Sequence, residues 1–245
     1  MELTKNVNMK QLKQFKNEIT RFIMAYEFAL DEMNTKIDIL KKEFEFIHEY
    51  SPIEHVSSRI KTPESIVKKV YRKNHELSFQ SIKENINDIA GIRISCPFIS
   101  DIYRLYDMLT FQKDIQIKEV KDYIAKPKPN GYQSLHVIVE IPVYMSDREE
   151  RVCVEVQIRT IAMDFWASLE HKIFYKYNKD VPGRLLKDLK DAADSAAELD
   201  RKMERIHKEI NEIKDARNAE EVNEFQDNKE KLSLPMSLIE SLIKE

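Results

Sequence analysis

A strictly alternating segment in the middle of the chain is the feature that most constrains the fold. Valine or isoleucine occupies every second position from Val152 to Ile158, with Glu155 and Gln157 between them and Arg159 after them. A period of two places the apolar side chains on one face of a β-strand and the polar ones on the other. The segment therefore predicts a strand whose apolar face meets a core and whose polar face carries a carboxylate, an amide and a guanidinium.

Other segments predict further strands and a helix between them. Residues 133–141 also alternate, and residues 89–97 are rich in β-branched and apolar side chains, as in a buried strand. Residues 115–120 form a shorter run of the same kind, and residues 101–110 have a helical pattern. This mixture predicts an α/β (α+β) fold, in which a mixed β-sheet is flanked by helices.

Long helices are predicted before and after these strands. Residues 10–48 repeat apolar side chains at spacings of three and four, although Asn34 and Thr35 allow a break within the helix. Pro52 ends the pattern. Residues 185–213 repeat the same spacing as an apolar heptad seam, which favours packing against a core or against another subunit.

These segments divide the chain into four predicted regions. They are an N-terminal helical region (1–50), a core (51–180), a C-terminal helix for oligomerisation (181–214) and a polar tail (215–245). Within the core, Thr62-Pro63-Glu64 predicts another helix start, because Thr caps helices, Pro fits the first position and an early acid suits the N-terminus.

Charge and composition narrow the class of partner. The 245 residues carry a formal net charge of −3, which argues against nucleic-acid binding through bulk electrostatics. No apolar run reaches the ~18 residues that cross a membrane. Cys96 and Cys153 lie in apolar runs and predict reduced thiols. We therefore expect a cytoplasmic protein with no membrane attachment and no obligatory nucleic-acid partner.

A basic loop at residues 126–136 leads into one of the predicted strands. It gathers lysines, an amide, an aromatic ring and an imidazole, including Lys128, Asn130, Tyr132 and His136. The whole chain has only 3 glycines, so no glycine-rich phosphate cradle can form, and Lys and Arg are expected to hold any phosphates. The set suits a nucleotide, with the ring for its base and the cations for its phosphates.

Two carboxylates are candidate metal ligands. Asp88 stands at the mouth of the strand that contains Arg93, and a regular strand would send these two residues to opposite faces, a conflict that a bulge at Gly91 could reconcile. Asp88 and Glu155 together suit one Mg²⁺, which takes one or two carboxylates plus substrate phosphates. The simpler alternatives are a salt bridge for Asp88 and a solvent-facing strand for Glu155. The spacing of Cys and His fits no zinc site.

A basic face on the predicted helix after Thr62 is a candidate for binding polyphosphate. Ser65, Lys69 and Arg72 are spaced by four and three, so their side chains stack on one side of the helix. The nearby cations are Arg59, Lys61, Lys68 and Lys73. A solvated helix face is the simpler interpretation of such a charge run.

These segments, in this order, resemble the synthetase domain of the RelA/SpoT-type enzymes, and most closely the single-domain small alarmone synthetases. The matching segments are Ser58-Arg59-Ile60-Lys61 with Ser65 and Lys69, Asp88-Ile89-Ala90-Gly91-Ile92-Arg93, Lys128-Pro129-Asn130-Gly131-Tyr132-Gln133-Ser134-Leu135-His136, residues 155–160, and Phe165-Trp166-Ala167-Ser168-Leu169-Glu170-His171-Lys172. No His-Asp hydrolase motif precedes them and no long regulatory region follows.

The resemblance implies an activity and a fold. Members of the family transfer the β,γ-pyrophosphate of ATP to the 3′-hydroxyl of GDP or GTP, and produce the stringent-response alarmone (p)ppGpp and AMP. Their fold is a mixed sheet flanked by helices, related to the nucleotidyltransferases. The small members form homotetramers through their terminal helices, so the resemblance implies that this chain is a homo-oligomer.

The resemblance also implies roles for individual residues. Asp88 and Glu155 would be catalytic and would bind Mg²⁺, with Glu155 as the general base. The implied ATP-binding residues are Arg59 and Arg93, which would sandwich adenine, and Lys61, Ser65 and Lys69 on the phosphates. The implied GDP/GTP-binding residues are Tyr132 on guanine, Lys121, Lys128 and His136 on the phosphates, and Asn130, Gln157 and Asp164 around the site. Gln133 stands where many members have Arg.

Two other functions remain open on the sequence. One is a different nucleotidyltransferase-like enzyme, although the Gly-Ser and paired acids usual in such enzymes are missing here. The other is a catalytically inactive oligomer that binds nucleotide or RNA. The presence of both Asp88 and Glu155, and the nearly neutral charge, speak against it.

Overall fold

The computed structural model of the chain describes residues 9–47, 50–175 and 181–220. Its elements in chain order are α1 (Met9–Ile47), β1 (His55–Ile60), α2 (Pro63–Arg72), α3 (Phe79–Asn85), β2 (Ala90–Cys96), α4 (Ile99–Phe111), β3 (Gln116–Asp122), β4 (Leu135–Tyr144), β5 (Glu149–Thr160), α5 (Ile161–Tyr175) and α6 (Gly183–Glu220). The end of the predicted polar tail, residues 221–245, lies outside the described residues.

The strands form one five-stranded sheet in the order β1-β2-β5-β4-β3. β2 and β5 are parallel, whereas the other neighbouring pairs are antiparallel. The predicted mixed sheet flanked by helices is therefore confirmed. Strand β5 occupies the centre, which explains why its apolar face is fully buried: Val154, Val156 and Ile158 are each 0% exposed.

Helix α1 packs its buried side against this apolar face. Ala29, Met33 and Ile37 are 0% exposed and belong to the same core cluster as the strand residues. The break that we allowed at Asn34 and Thr35 is wrong, because the helix is continuous there. Thr35 donates to the carbonyl of Asp31 within the helix, and the amide of Asn34 reaches out to Ser58.

The bulge that could have reconciled Asp88 and Arg93 does not occur at Gly91. The pairing of β2 with both neighbours is regular through Gly91, whose partners are Arg59 and Glu155. Asp88 instead lies in the turn before β2, so no distortion of the strand is needed to place it beside the polar face. Two further elements, β1 and α3, were not predicted.

The chain divides into two compact units, of which the first ends at Glu204 and the second begins at Arg205. The first unit holds the sheet, and the buried residues of α6 within it are Ala193, Ala197 and Asp200. In the described part of the second unit the helix exposes Ile206, Ile210 and Ile213. Among the helices that the structure describes, none combines the length and the apolar character that crossing a membrane requires.

Candidate active site

The polar face of the sheet is organised as two rows that cross all five strands. One row consists of Ser57, Arg93, Gln157, His136 and Lys121. The next row consists of Arg59, Gly91, Glu155, Ile138 and Glu119. Alternation along each strand gives these side chains one common face, and the pairing register brings residues that are distant in sequence side by side. Ten positions on five strands thus form a single surface.

A cavity of about 210 Å³ opens on the β1 side of this surface. It is lined by Ser57, Ser58, Arg59, Gly91, Ile92, Arg93, Glu155 and Gln157. Gly91 lies between Arg59 and Glu155, and a Cβ built on it would be 3.9 Å from the Arg59 side chain. The missing side chain therefore leaves space in a cavity that both Arg59 and Arg93 line. Nε of Arg93 is buried and finds no hydrogen-bond partner among the described residues.

Asp88 lies in the turn before β2, where two lysines hold its carboxylate. Its Oδ2 lies 2.5 Å from Nζ of Lys61 and 2.6 Å from Nζ of Lys69. Burial alone would raise the pKa of the Asp88 carboxyl, but hydrogen bonds from the two ammonium groups lower the pKa below its ordinary value. The carboxylate is therefore ionised at neutral pH. Ser65 lies at the start of α2, one turn before Lys69, where it receives a hydrogen bond from the hydroxyl of Thr62.

The donor set at Asp88 fits a hard divalent cation. Its second oxygen, Oδ1, is buried and has no hydrogen-bond partner in the part of the chain that the structure describes. The negative charge of Asp88 acts on Glu155 and tends to raise its pKa, so the two carboxylates lie within electrostatic reach of each other. The described residues contain no group of three or more His, Cys, Asp or Glu side chains that could hold a metal. Two carboxylates completed by substrate phosphates is a usual arrangement for Mg²⁺.

Glu155 connects the cavity to a second group of residues. Its Oε2 accepts a hydrogen bond from Gln157 at 2.8 Å, and its Oε1 lies 3.4 Å from Nδ1 of His136. Burial would raise the pKa of Glu155, but the contacts with His136 and Gln157 lower it below its ordinary value. The carboxylate is thus ionised and held in one orientation. It lies between the cavity on one side and His136 on the other.

The second group centres on Tyr132. Its hydroxyl lies 2.7 Å from Nε2 of His136 and accepts a hydrogen bond of 2.6 Å from Nη2 of Arg159. Arg159 is only 4% exposed and also donates to Gln157 and Asp164. Asp164 in turn lies 3.5 Å from Nη1 of Arg93. A continuous polar network therefore joins the ring of Tyr132 to the guanidinium at the cavity.

The loop before β4 carries Tyr132 in a tight turn. Gly131 has a φ of +89°, a conformation that L side chains rarely adopt, and its N–H donates to the carbonyl of Lys128. Oδ1 of Asn130 accepts from the N–H of Tyr132, and its amide donates to Glu170 on α5. Nζ of Lys128 lies 4.5 Å from the ring centre of Tyr123 and 4.7 Å from that of Tyr132.

The structure brings most of the residues singled out from the sequence to this surface. The cavity is lined by Arg59, Arg93, Glu155 and Gln157. Asp88 is contacted by Lys61 and Lys69. The second group contains Lys128, Asn130, Tyr132, His136 and Asp164. Lys121 lies at the end of one row, where it pairs with Glu119. Gln133 faces the other way, towards α6.

Two residues of this site had no predicted role. Arg159 was placed on the polar face with Glu155 and Gln157, but nothing in the sequence distinguished a buried guanidinium from a solvated one. Tyr123 follows β3, and its ring packs edge-on against Tyr132 and His136. The alternation of β5 was enough to place Arg159 on the polar face of the strand. No feature of the sequence indicated that Tyr123, a loop residue, belongs to the site.

Residues 58–180 match the model of the region found in RelA / SpoT proteins. The chain belongs to the RelA/SpoT family. It is 52% identical over 203 residues to GTP pyrophosphokinase YwaC of Bacillus subtilis (strain 168), across 83% of this chain and 97% of that protein. The match confirms the family resemblance that the motifs indicated.

Solved structures of RelA/SpoT-type synthetases have the same fold. Small alarmone synthetase 1 from Bacillus subtilis bound to its product pppGpp superposes with a TM-score of 0.73 at 37% identity, over 79% of this chain and 98% of that one. Small alarmone synthetase 1 bound to AMPCPP gives 0.68 at 34% identity, over 80% of this chain and 99% of that one. The chain is thus similar to the small alarmone synthetases along nearly their whole length.

Proposed function

We propose that this protein is a (p)ppGpp synthetase, a GTP/GDP pyrophosphokinase that moves the β,γ-pyrophosphate of ATP to the 3′-hydroxyl of GDP or GTP. The observation that carries the proposal is the position of Glu155. The same carboxylate lines the cavity together with Arg59 and Arg93, and contacts the histidine that is bonded to Tyr132. A base between two nucleotide sites is what such a transfer requires.

The cavity between Arg59 and Arg93 is the proposed site of the ATP adenine. Two guanidinium groups on either side of a hollow suit a flat aromatic base, which attracts cations to its faces. Lys61, Lys69 and Ser65 would then hold the phosphates, because both lysines contact Asp88 and Ser65 lies one turn before Lys69 on α2. AMPCPP has the shape of ATP, and a relative of this fold was solved with it bound.

The loop at Lys128 to His136 is the proposed site of the guanosine nucleotide. The ring of Tyr132 would stack on guanine, and its hydroxyl is held in place by His136 and Arg159. Lys128, His136 and Lys121 would contact the phosphates, while Asn130, Gln157 and Asp164 would orient the nucleotide. The relative solved with its product pppGpp supports a guanosine site in this fold.

In the proposed reaction, the guanosine 3′-oxygen attacks the β-phosphorus of ATP. Glu155 takes the proton of that hydroxyl, the bond from the α,β-bridging oxygen to the β-phosphorus breaks, and AMP leaves with the bond's electron pair. Lys61 and Lys69 neutralise charge on the transferred group, so positioning and electrostatics suffice without a covalent intermediate. Asp88 and Glu155 would hold Mg²⁺, which when bound supplies further neutralisation of the phosphates.

We also infer that the protein is a homo-oligomer, and by analogy with its family a homotetramer. Several apolar residues of the predicted heptad seam are exposed in the single chain, including Leu185, Leu199 and Met203 at 44%, 53% and 47%. Such a stripe favours burial against another subunit. Because its substrates ATP and GDP or GTP are cytoplasmic, we place its activity in the cytoplasm. The division into helical ends around a synthetase core is part of the same proposal.

One experiment separates the proposed activity from its alternatives. The protein is incubated with ATP, GDP and Mg²⁺, and the products are identified by mass. AMP and a guanosine nucleotide carrying a 3′-pyrophosphate support the proposal, whereas free pyrophosphate indicates nucleotidyl transfer. No turnover by wild type, with Glu155→Gln behaving identically, would indicate a binding protein.

A further inference from the structure

Helix α6 contacts the loop that carries Tyr132, and this contact has no part in the chemistry described above. Gly131, at the tip of the loop, is packed so closely that a Cβ on it would lie 2.4 Å from Cβ of Ala193. Tyr132 itself packs on the small cluster formed by Trp166, Ala167 and Ala193. The helix position that faces the loop therefore requires a small side chain, and Ala193 has one.

Two hydrogen bonds fix α6 in this position. The indole N–H of Trp166 on α5 donates to the carbonyl of Leu189 at 3.1 Å. The hydroxyl of Thr160, where β5 meets α5, donates to the buried carboxylate of Asp200 at 2.5 Å. The Thr160 hydroxyl also accepts a hydrogen bond from the N–H of Met163, so the same group caps the first turn of α5.

Helix α5 contributes to the acceptor site through two side chains. Asp164 binds Arg159 and lies near Arg93, and Glu170 accepts from Asn130 in the loop. A shift of α6 would therefore reach the site both directly, through Gly131, and through the start of α5. None of these contacts involves the lysines around Asp88.

We propose that the first half of α6 positions the guanosine-binding loop, with Ala193 setting the position of Gly131 and Asp200 fixing the start of α5 through Thr160. Both are positioning residues, since neither faces the reacting groups. Burial raises the pKa of the Asp200 carboxyl and disfavours its ionised form, so burying this side chain reduces the stability of the fold unless its contact with Thr160 offsets the loss. The inference rests on the proposed function, whose acceptor site it refines.

The test compares substrates in steady-state kinetics. Ala193→Leu should lower kcat/KM for GDP by about 10- to 100-fold, because small displacements of a substrate-positioning group have effects of this order. The KM for ATP should change less than about twofold. Lys187→Leu, which places a leucine at an exposed position of the same helix outside the heptad seam, is the control and should resemble wild type.

A second pair of variants guards against misfolding of Ala193→Leu. Asp200→Ala should raise the KM for GDP selectively, and Asp200→Asn, which can still accept from Thr160, should restore it; Asp191→Ala is an exposed control on the same helix. Trp166 is the only tryptophan in the sequence, so its emission reports whether the cluster remains packed. Equal changes for GDP and ATP, or wild-type kinetics in both Ala193→Leu and Asp200→Ala, would overturn the positioning role. A wild type that makes no 3′-pyrophosphate product would overturn the proposed function itself.

Discussion

The two halves of the site differ in how they are prepared for a ligand. The half proposed for ATP contains the open cavity, and both Nε of Arg93 and Oδ1 of Asp88 lack hydrogen-bond partners among the described residues. The guanosine half is internally satisfied, since Tyr132, His136, Gln157 and Arg159 bond to one another and Lys128 covers the tyrosine ring. If the proposed assignment holds, the first half is preformed for its nucleotide. In the second half the nucleotide would have to replace contacts that the protein makes with itself.

This difference has an energetic reason. A buried polar atom without a partner costs ~1–3 kcal/mol, and a ligand that satisfies it recovers this free energy on binding. A network that is already complete offers no such gain, and instead holds Tyr132 and His136 in fixed positions. We infer that the ATP half contributes mainly affinity and the guanosine half mainly geometry.

The largest expected effect belongs to the residue shared by both halves. Glu155→Gln keeps the size of the side chain but removes the base, so kcat should fall by about 10²- to 10⁴-fold. Binding of each nucleotide, measured by calorimetry without Mg²⁺, should change little. If the variant instead loses affinity for one nucleotide and keeps the kcat of wild type, Glu155 belongs to only one half of the site.

Filling the cavity should affect ATP alone. Gly91→Leu places a side chain in the hollow beside Arg59, and overpacking a site by several carbons costs ~1–3 kcal/mol. The affinity for AMPCPP should therefore fall by about 10- to 100-fold, with that for GDP unchanged. Gly91→Ala is the matched control, because a Cβ there meets nothing closer than 3.9 Å. Equal losses for both nucleotides would contradict the assignment of the cavity to adenine.

The complementary change is Tyr132→Ala. Loss of stacking should weaken GDP binding by ~1–3 kcal/mol and leave AMPCPP binding unaltered. Tyr132→Phe keeps the ring and removes the hydroxyl that binds His136 and Arg159, so it should affect kcat more than affinity. Unchanged GDP affinity in the alanine variant would remove Tyr132 from the guanine site.

Lys128 offers a smaller but more specific test of the self-satisfied half. Its ammonium group covers the rings of Tyr123 and Tyr132, so guanine has to displace it before stacking. Lys128→Met should weaken GDP binding, through loss of a phosphate contact, yet strengthen binding of guanosine by about two- to fivefold, the equivalent of ~0.5–1 kcal/mol for an exposed cation–π contact. Calorimetry with both ligands decides. If the variant binds guanosine with the affinity of wild type, Lys128 does not compete with guanine for the ring of Tyr132 and contacts only the phosphates.

The smallest effect concerns the acid sensitivity of the ATP half. Lys61 and Lys69 hold the pKa of folded Asp88 below the ordinary 3.8, so its contribution to stability is present above that pH and is lost as the pH falls through the lowered pKa. Asp88→Asn should therefore lose less stability than wild type between neutral pH and pH ~3. Urea denaturation at several pH values measures this. Parallel curves for the two proteins would mean that Asp88 is not stabilised by the lysines.

The central strands could be predicted because burial imposes a simple pattern on them. The alternation of β5 predicted both its buried valines and its polar row with Glu155, Gln157 and Arg159. By contrast, β1 is an edge strand with mostly exposed residues, and α3 has only 7 residues, so neither carries a clear period. Patterns reveal elements only where one face is buried over enough length.

The site was less predictable than the strands because it depends on pairing register. A regular strand would have sent the side chains of Asp88 and Arg93 to opposite faces of the sheet. In the structure Asp88 lies in a turn before β2, so the strand needs no bulge. In α6 the apolar seam was visible, but the buried residues are Ala193, Ala197 and Asp200, which are small or polar, and Ala193 is the one that contacts Gly131. A close contact of that kind has no signature in hydrophobic periodicity.

The meeting of two nucleotide sites at Glu155 can be tested most directly by a crystal structure of the protein with AMPCPP and GDP bound together. We predict the adenine between Arg59 and Arg93, guanine on Tyr132, and the ribose 3′-oxygen at a hydrogen-bonding distance of ~2.6–3.2 Å from the carboxylate of Glu155. A complex in which the 3′-oxygen points away from Glu155, or in which GDP occupies the cavity beside Gly91, would contradict the proposed function.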